Sequence, residues 1–355
     1  IETMSIEDGK AMSHTMNRRR FTQGSSALAL SGMMLRGNGA LAQQTSQGVA
    51  NRGGVPVNGF NDETTAEEVT AGLDLSGKTA LVTGCNSGIG YETMRVLALR
   101  GAHVIGAARS YEKAKTACDS VAGQTTPVVC ELTEFDTIVA CAETVQAMDT
   151  PIDMLILNAG IMALPELEQV NGIEKHFLVN HLGHFILANR LLEQVKAAPQ
   201  GRVAVLVSGR YKSAPADGIQ FGDLSGQSWE YDPTVAYGHS KLANGLFSLE
   251  LARRLEGTNA TSNAIHPGVI MTNLGRHMPG YVLFFAKLIG WAFMKSVGAG
   301  AATSSYVAAH PDMVGISGRY FEHCNPVVPD GNMTNTEMAA KLWAVSEELT
   351  QDYLA

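Results

Sequence analysis

The chain has 355 residues, of which 45% are hydrophobic and 17% are charged, and its formal net charge is −8. This length and apolar content are sufficient for one large buried core. The acidic balance argues against a general nucleic-acid binder and against a protein that binds acidic membranes through charge.

The first 42 residues have the parts of an export signal. An arginine run at 18–20 precedes a weakly apolar stretch at 27–35, and a small-x-small cleavage site ends at Ala42. The paired arginines and the modest hydrophobicity favour the twin-arginine route, so we expect a signal peptide, cleavage after Ala42 and a periplasmic protein. We interpret the residues before Met16 as an upstream extension. The alternative is a disordered basic tail on a cytoplasmic protein.

Residues 43–72 are predicted to form a flexible lead-in with a short helix, ahead of a single domain at 73–355. The lead-in is rich in Gly, Asn and Gln, and Thr64 and Glu67 have the spacing of a capping box. Five scattered cysteines show neither metal-ligand nor disulfide spacing. We therefore expect Cys85, in the first glycine-rich turn, to be a packing residue.

From residue 78 onward, short β-branched runs alternate with segments of helical periodicity. Strands are predicted near 78–83, 102–107, 126–131, 153–157, 202–207 and 260–265, and helices near 88–100, 134–148, 172–197 and 234–256. Such alternation implies right-handed crossovers and an α/β fold with a parallel, doubly wound sheet.

A glycine-rich turn, 83–90, joins the first strand to the first helix with the sequence Thr-Gly-Cys-Asn-Ser-Gly-Ile-Gly. Glycines let a backbone turn tightly and approach a pyrophosphate, whose charge is met by the N–H groups at the helix start. The strand–turn–helix context favours a dinucleotide site. A plain turn would need one glycine rather than three at this spacing.

Arg109 follows the second strand, where NAD-specific sites place an acid that binds the ribose 2′-OH. An arginine suits a 2′-phosphate instead, because its guanidinium makes bidentate contacts with phosphate oxygens. NADP(H) is therefore favoured over NAD(H). The alternative is a solvated surface arginine.

Tyr237 and Lys241 are four residues apart on a predicted helix and should lie on one face. A free tyrosine titrates near ~10, too high for efficient proton transfer at neutral pH. A neighbouring cation favours the phenolate, so the pair predicts a Tyr237 pKa lowered toward the catalytic range. The same spacing also arises by chance on amphipathic helices.

The ordered motifs resemble the short-chain dehydrogenase/reductase superfamily, from about Leu73 to the C-terminal region. Within it, segments 85–93, 179–185 and 266–269 are most similar to the retinol-dehydrogenase-like and WW-domain-containing-oxidoreductase branch. The resemblance implies one Rossmann-type domain with a parallel sheet of about seven strands, the last near 318–322.

The resemblance also implies roles for site residues. Ser208 would polarise the substrate oxygen, Tyr237 would exchange a proton with it, and Lys241 would hold the nicotinamide ribose. Asn180 would anchor a water that links Lys241 to solvent. The implied cofactor-binding residues are Gly84, Asn86, Ser87, Gly88, Ile89, Gly90, Arg109, Glu131, Leu132, Asn158, Ala159, Gly160, Tyr237, Lys241, Pro267, Gly268, Ile270 and Thr272.

Glu131 stands where the family usually has an aspartate, and its extra methylene makes the adenine contact less certain. His181 and His184 are three residues apart on one helix. With no convincing third ligand, packing and hydrogen bonding are favoured over a metal, and we expect no metal site.

The implied reaction is reversible NADP-dependent interconversion of an alcohol and a carbonyl. Residues 273–295, where the family sets substrate specificity, are rich in Leu, Phe, Trp and Met. This segment is interpreted as an apolar lid over a hydrophobic substrate, or equally as a core or homodimer-contact helix. Peripheral membrane contact through 281–294 stays open, although the run is shorter than the ~20 residues that span a membrane.

Two rival functions stay open beside this reaction. One is reduction of an activated C=C bond, and the other is cofactor binding without catalysis.

Overall fold

The computed structural model describes residue 55, residues 57–268 and residues 296–355. The expected signal peptide, the implied cofactor contacts Ile270 and Thr272, and the apolar segment 281–294 lie outside these residues.

The strands are β1 Thr79–Thr83, β2 His103–Ala108, β3 Thr125–Val129, β4 Met154–Leu157, β5 Gln169–Val170, β6 Ile173–Glu174, β7 Arg202–Leu206, β8 Thr261–His266, β9 Tyr320–Glu322 and β10 Asn325–Val327. The helices are α1 Ala66–Val69, α2 Gly88–Leu99, α3 Tyr111–Asp119, α4 Phe135–Gln146, α5 Lys175–Phe177, α6 Gly183–Arg190, α7 Leu192–Ala197, α8 Pro233–Arg254, α9 Val297–Ala309 and α10 Thr336–Thr350.

Eight strands form one sheet in the order β10-β9-β8-β7-β4-β1-β2-β3. Every neighbouring pair is parallel except β9 and β10. The predicted doubly wound α/β fold is therefore confirmed, with one antiparallel edge strand added. β1 lies between β2 and β4, and all five of its residues are buried. The carboxyl ends of the parallel strands meet at one edge, where this type of sheet binds ligands.

The sheet separates two apolar cores. On one face, α4, α6, α8 and α10 contribute Ile138, Phe185, Leu246 and Trp343. On the other face, α2, α3 and α9 contribute residues such as Met94, Cys118 and Val307. The alternation of strands and helices along the chain predicts helices on both faces of the sheet, and each helix buries one apolar stripe against it. No helix in the described part of the chain is long and apolar enough to cross a membrane.

Three local features differ from the sequence expectations. The capping box is formed by Thr65 and Glu68, one residue later than predicted. Helices α3, α9 and α10 were not predicted, and the helix expected at 172–197 is divided into α5, a π-helical turn at Leu178–Leu182, α6 and α7. The β9–β10 turn has positive φ at His323 and Cys324. This geometry normally selects Gly or Asn, so the residues of the hairpin carry little indication of it.

Candidate active site

The glycine-rich turn after β1 is shaped by close backbone approach. Gly84 and Gly88 have φ values of 70° and 56°, a region that favours glycine. A Cβ at Gly90 would lie 2.4 Å from both the Gly84 carbonyl oxygen and Asn158 Nδ2. Asn158 Nδ2 in turn donates to the Thr83 carbonyl at 2.8 Å. The turn and the end of β4 are therefore packed as one unit.

Gly90→Ala is expected to disrupt this unit, because the new methyl group meets the Gly84 backbone and the hydrogen-bonded Asn158 amide. We expect the free energy of unfolding to fall by about 1–3 kcal/mol, as for other overpacked sites, and affinity for a dinucleotide to fall with it. Thermal melts and cofactor titration would measure both effects. Gly222→Ala is the matched control, since a Cβ there meets nothing within 4 Å. Equal stability of the two variants would contradict the packing argument.

A cavity of about 690 Å³ lies beside the turn, within the ~300–1,000 Å³ typical of small-molecule sites. Twelve of the predicted cofactor residues line it: Gly84, Asn86, Ser87, Gly88, Ile89, Gly90, Arg109, Glu131, Leu132, Asn158, Ala159 and Gly160. Pro267 and Gly268 do not line it, nor do the four predicted catalytic residues. Sequence reasoning missed Ala108, Cys130, Thr133, Ile161, Met162, Leu164, Glu168, Lys175, Val179 and Leu206. Several of these end or follow parallel strands, a signal that could have identified them.

The cavity has the features that a dinucleotide needs. Ser87 precedes α2 but makes no side-chain capping hydrogen bond, which leaves N–H groups of the first turn for a phosphate. Asn158 Oδ1 is buried without a hydrogen-bond partner among the described residues. A buried acceptor normally has a partner, so a donor from a bound molecule would satisfy it. The residues present therefore fit a nicotinamide dinucleotide.

Arg109 and Glu131 both line the cavity but differ in their hydrogen bonding. Arg109 is exposed, and no hydrogen bond or ion pair joins its guanidinium to residues 57–268 or 296–355. The Glu131 carboxylate instead accepts from the Thr133 backbone N–H at 3.1 Å and from its hydroxyl at 2.9 Å. Arg109 is thus available to an anionic ligand, whereas Glu131 also stabilises its own loop.

Tyr237 and Lys241 lie one turn apart on α8, and both are buried. Lys241 Nζ is 5.8 Å from the centre of the Tyr237 ring and donates to the Leu206 carbonyl at 3.0 Å. Leu206 ends β7 and lines the cavity. The predicted juxtaposition on one helix face is therefore present, with the ammonium held at the cavity wall.

The pKa of Tyr237 is shifted opposite to the sequence prediction. Burial raises the pKa of Tyr237 to about 12, while a hydrogen bond with Ser208 and the charge of Arg210 oppose the rise. Burial also lowers the pKa of Lys241 to about 7. The reason is that both groups are buried, and desolvation of the Tyr237 phenolate exceeds the opposing effects of Ser208 and Arg210.

Ser208 follows β7 and begins a 3₁₀ turn at Gly209–Ser213. Its hydroxyl accepts from the Arg210 backbone N–H at 3.2 Å and lies near enough to the Tyr237 phenol to oppose the rise of the Tyr237 pKa. The turn thus places a hydroxyl next to the phenol, as the resemblance implied.

Asn180 lies in the π-helical turn and is fully buried. Its Oδ1 accepts from the Ile161 backbone N–H at 2.8 Å, and its Nδ2 donates to the Ile161 carbonyl at 3.0 Å and to Ser240 Oγ at 2.9 Å. Three of its four hydrogen-bonding positions are used, and one acceptor position on Oδ1 remains. π-helical turns occur frequently at functional sites, and this one joins the cavity wall to α8.

His176 and Glu174 form a buried pair that sequence reasoning missed. Glu174 Oε1 is 2.6 Å from His176 Nδ1, and the Leu164 N–H donates to His176 Nε2 at 3.4 Å. Since Nε2 accepts, Nδ1 carries the proton and donates to Glu174. The Leu164 carbonyl accepts from Tyr231 OH at 2.9 Å. The cavity-wall segment 161–164 is therefore held at both ends, by Asn180 at Ile161 and by His176 and Tyr231 at Leu164.

The histidines of the π-helical region make structural hydrogen bonds. His181 Nε2 is 2.7 Å from Ser346 Oγ, and His184 Nε2 is 3.0 Å from Thr83 Oγ1. Burial lowers the pKa of each to about 3. These contacts agree with the packing interpretation of both side chains.

Comparison with known proteins gives consistent results. Residues 78–219 match the short chain dehydrogenase family. The chain is 39% identical to short-chain dehydrogenase TIC 32 B, chloroplastic, of Brassica napus, over 82% of this chain and 94% of that protein. It is 39% identical to retinol dehydrogenase 14 of Mus musculus, over 77% and 86%. It is 38% identical to the WW domain-containing oxidoreductase of Homo sapiens, over 83% and 73%.

A solved structure, described as a putative uncharacterized protein from Mycobacterium paratuberculosis, shares the fold with a TM-score of 0.65 and 32% identity. The match covers 80% of this chain and 97% of that one. The expected similarity to retinol dehydrogenases and WW-domain-containing oxidoreductases is thus confirmed. The chain belongs to the short-chain dehydrogenase/reductase family and is an oxidoreductase of a family that binds nicotinamide cofactors.

Proposed function

We propose that this protein catalyses the reversible, NADP-dependent interconversion of an alcohol and a carbonyl on an apolar small molecule, with Tyr237 as general acid–base. The observation that carries the proposal is the buried pair on α8: Tyr237 lies beside Ser208, and one turn away Lys241 donates to the Leu206 carbonyl at the cavity wall. Asn180 contacts the same wall through Ile161. These contacts support proton transfer next to the cofactor cavity.

When bound, the nicotinamide supplies or accepts hydride. In carbonyl reduction, the hydroxyls of Ser208 and Tyr237 hydrogen-bond to the substrate oxygen, and Tyr237 donates its proton as negative charge develops there. A phenol with a raised pKa keeps that proton at neutral pH until the oxygen becomes basic. Lys241 stabilises the phenolate that remains. Asn180 Oδ1 accepts a hydrogen bond from a water at its unused acceptor position, and this water would pass a proton from solvent back to the site.

The preference for NADP(H) rests on the unpaired state of Arg109. We expect Arg109→Asp to raise the Kd for NADPH by about 10-fold or more while leaving that for NADH unchanged or lower, because a charge-assisted bidentate contact with the 2′-phosphate is lost. Lys113→Asp makes the same charge change nearby but away from the cavity lining, so it should leave both constants unchanged. Tighter binding of NADH than NADPH by the unaltered protein would contradict the preference.

An apolar substrate is favoured by the segment 161–164, which presents Ile161, Met162 and Leu164 to the cavity. These side chains can bury a hydrocarbon surface. The Leu-, Phe- and Trp-rich segment 273–295 has the composition of a lid over such a substrate.

A direct test is NADPH oxidation with matched sets of apolar aldehydes, ketones and enones, each with short polar analogues. We expect turnover of aldehydes or ketones that rises with apolar size, and the reverse reaction with the corresponding alcohols. Reduction confined to the C=C bond of enones would contradict the proposal, as would turnover of the polar analogues alone.

We also propose that residues 1–42 direct export by the twin-arginine route. The proposal is supported by the arginine run, the weakly apolar stretch after it and the small-x-small cleavage site. N-terminal sequencing of the protein from its native host should begin at Gln43. Recovery of an intact N-terminus would contradict it.

A further inference from the structure

Three sulfur atoms meet beneath the glycine-rich turn. Cys118 Sγ donates to Met94 Sδ at 3.9 Å, and Cys85 packs in the same apolar core. A Cβ built on Gly106 would lie 2.7 Å from Cys118 Sγ, 2.9 Å from Met94 Sδ and 3.1 Å from Cys85 Sγ. The three sulfurs therefore lie close to one another beside Gly106, and no side chain at position 106 separates them.

The surrounding elements fix this arrangement. Cys85 follows β1, Met94 lies on α2 and Cys118 on α3, and all three pack over Gly106 in β2. Their exposed fractions are 0%, 0% and 2%. The Gly84 and Cys85 N–H groups donate to the Ala107 carbonyl at 2.8 and 3.2 Å, so the strand holds the cysteine backbone in place. The sulfurs are thus positioned before any ligand arrives.

This donor set has the chemistry of a soft-metal site. Thiolate and thioether ligands select Cu(I) over harder ions. Three sulfurs about 2.3 Å from an ion in a trigonal plane lie about 4.0 Å from one another, close to the 3.9 Å between Cys118 and Met94. A monovalent cation that displaces one thiol proton leaves the buried cluster without net charge, which avoids the cost of an unpaired buried charge.

We propose that Cys85, Met94 and Cys118 bind one Cu(I) ion beneath the cofactor turn. Binding replaces one S–H bond with an S–Cu bond, releases one proton and changes no oxidation state. Zinc is disfavoured because it needs four ligands, and residues 57–268 and 296–355 contain no group of three His, Cys, Asp or Glu suited to a metal. The proposed copper site does not depend on the proposed alcohol–carbonyl reaction.

The chain provides an internal control. Cys130 and Cys141 are two further buried cysteines, in the core on the other face of the sheet. Unlike Cys118, neither thiol hydrogen-bonds to a methionine sulfur within residues 57–268 and 296–355. They therefore show whether buried thiols without a thioether beside them also bind copper.

The test is an anaerobic Cu(I) titration of the full chain against bathocuproine disulfonate, with native mass spectrometry. We expect one tightly bound copper, with a mass gain of one copper less one proton. Cys118→Ser should weaken binding by about 100-fold or more and Met94→Leu by about 10-fold, since the first removes a thiolate and the second a neutral ligand. Cys141→Ser should retain the wild-type affinity.

Unchanged affinity in Cys118→Ser, or loss of binding in Cys141→Ser, would overturn the assignment. Circular dichroism melts report whether each variant is folded. If Cys118→Ser does not fold, Met94→Leu decides the question, because it conserves volume and removes only the third sulfur. Wild-type affinity in a folded Met94→Leu would then count against the three-sulfur site.

Discussion

Tyr237→Phe is expected to lower kcat for carbonyl reduction by about 10²- to 10⁴-fold, the usual contribution of a general acid. The phenyl ring keeps the packing against His176, whose ring centre lies 6.2 Å away, but it has no proton to give. Since Lys241 and the cavity lining are unaltered, the Kd for NADPH should change by less than about threefold. Stopped-flow reduction and cofactor titration would measure the two quantities separately.

Tyr320→Phe is the matched control for this prediction. Tyr320 is buried on β9, and its hydroxyl donates to Glu322 at 2.8 Å, away from the residues that line the cavity. The Tyr320→Phe variant should therefore retain the wild-type kcat. Normal turnover by Tyr237→Phe would remove Tyr237 from the mechanism, whereas loss of cofactor binding would indicate a structural defect.

Lys241→Met is expected to abolish turnover and yet stabilise the fold. Burial lowers the pKa of Lys241 from its ordinary 10.5 to about 7, so folding is disfavoured wherever the unfolded lysine is protonated. The full effect corresponds to at most about 5 kcal/mol. The Leu206 carbonyl stays satisfied in the variant, because Asn244 Nδ2 also donates to it at 3.0 Å. We expect a net gain of about 2–4 kcal/mol at pH 6 once one lost hydrogen bond is subtracted.

The pH dependence distinguishes this cause from better packing. Between pH 7 and 10.5 the unfolded chain holds more protons at Lys241 than the folded protein, so the free energy of unfolding of the wild type rises with pH. The gain from Lys241→Met should therefore be largest at pH 6–7 and shrink by pH 9.5. Below pH 10 the raised pKa of Tyr237 adds no slope, since the phenol stays protonated in both states.

Denaturant unfolding at several pH values, without cofactor, would check this prediction. Lys115→Met is the matched control: Lys115 pairs with Asp119 on the surface, and its replacement should change stability by less than about 0.5 kcal/mol. A pH-independent gain in Lys241→Met would show that packing, rather than desolvation, is responsible.

Local sequence patterns predicted the parts of the site that depend on short spacing. The turn at Gly84, Gly88 and Gly90 and the pair Tyr237–Lys241 are determined by a few neighbouring residues and by helix geometry. The alternating strands and helices likewise predicted the sheet, because each element carries its own periodicity.

The pKa shifts and the long-range hydrogen bonds of the site depended on depth of burial and on residues distant in the sequence. Packing of α8 against β7, β8 and α10 removes water from Tyr237 and Lys241, and this reversed the expected shift of the Tyr237 pKa. The hydrogen bonds of Asn180 with Ile161 span 19 residues and those of Tyr231 with Leu164 span 67. Neither separation leaves a periodic signal in the sequence.

The fixed backbone of segment 161–164 also has an evolutionary consequence. Its ends are held by Asn180, His176 and Tyr231 through main-chain groups alone. Side chains at 161, 162 and 164 can therefore be exchanged without moving the helix that carries the proton-transfer residues. Under the proposed function, a lineage with this scaffold would acquire new substrates by single substitutions in one short stretch, while the proton-transfer chemistry is inherited unchanged.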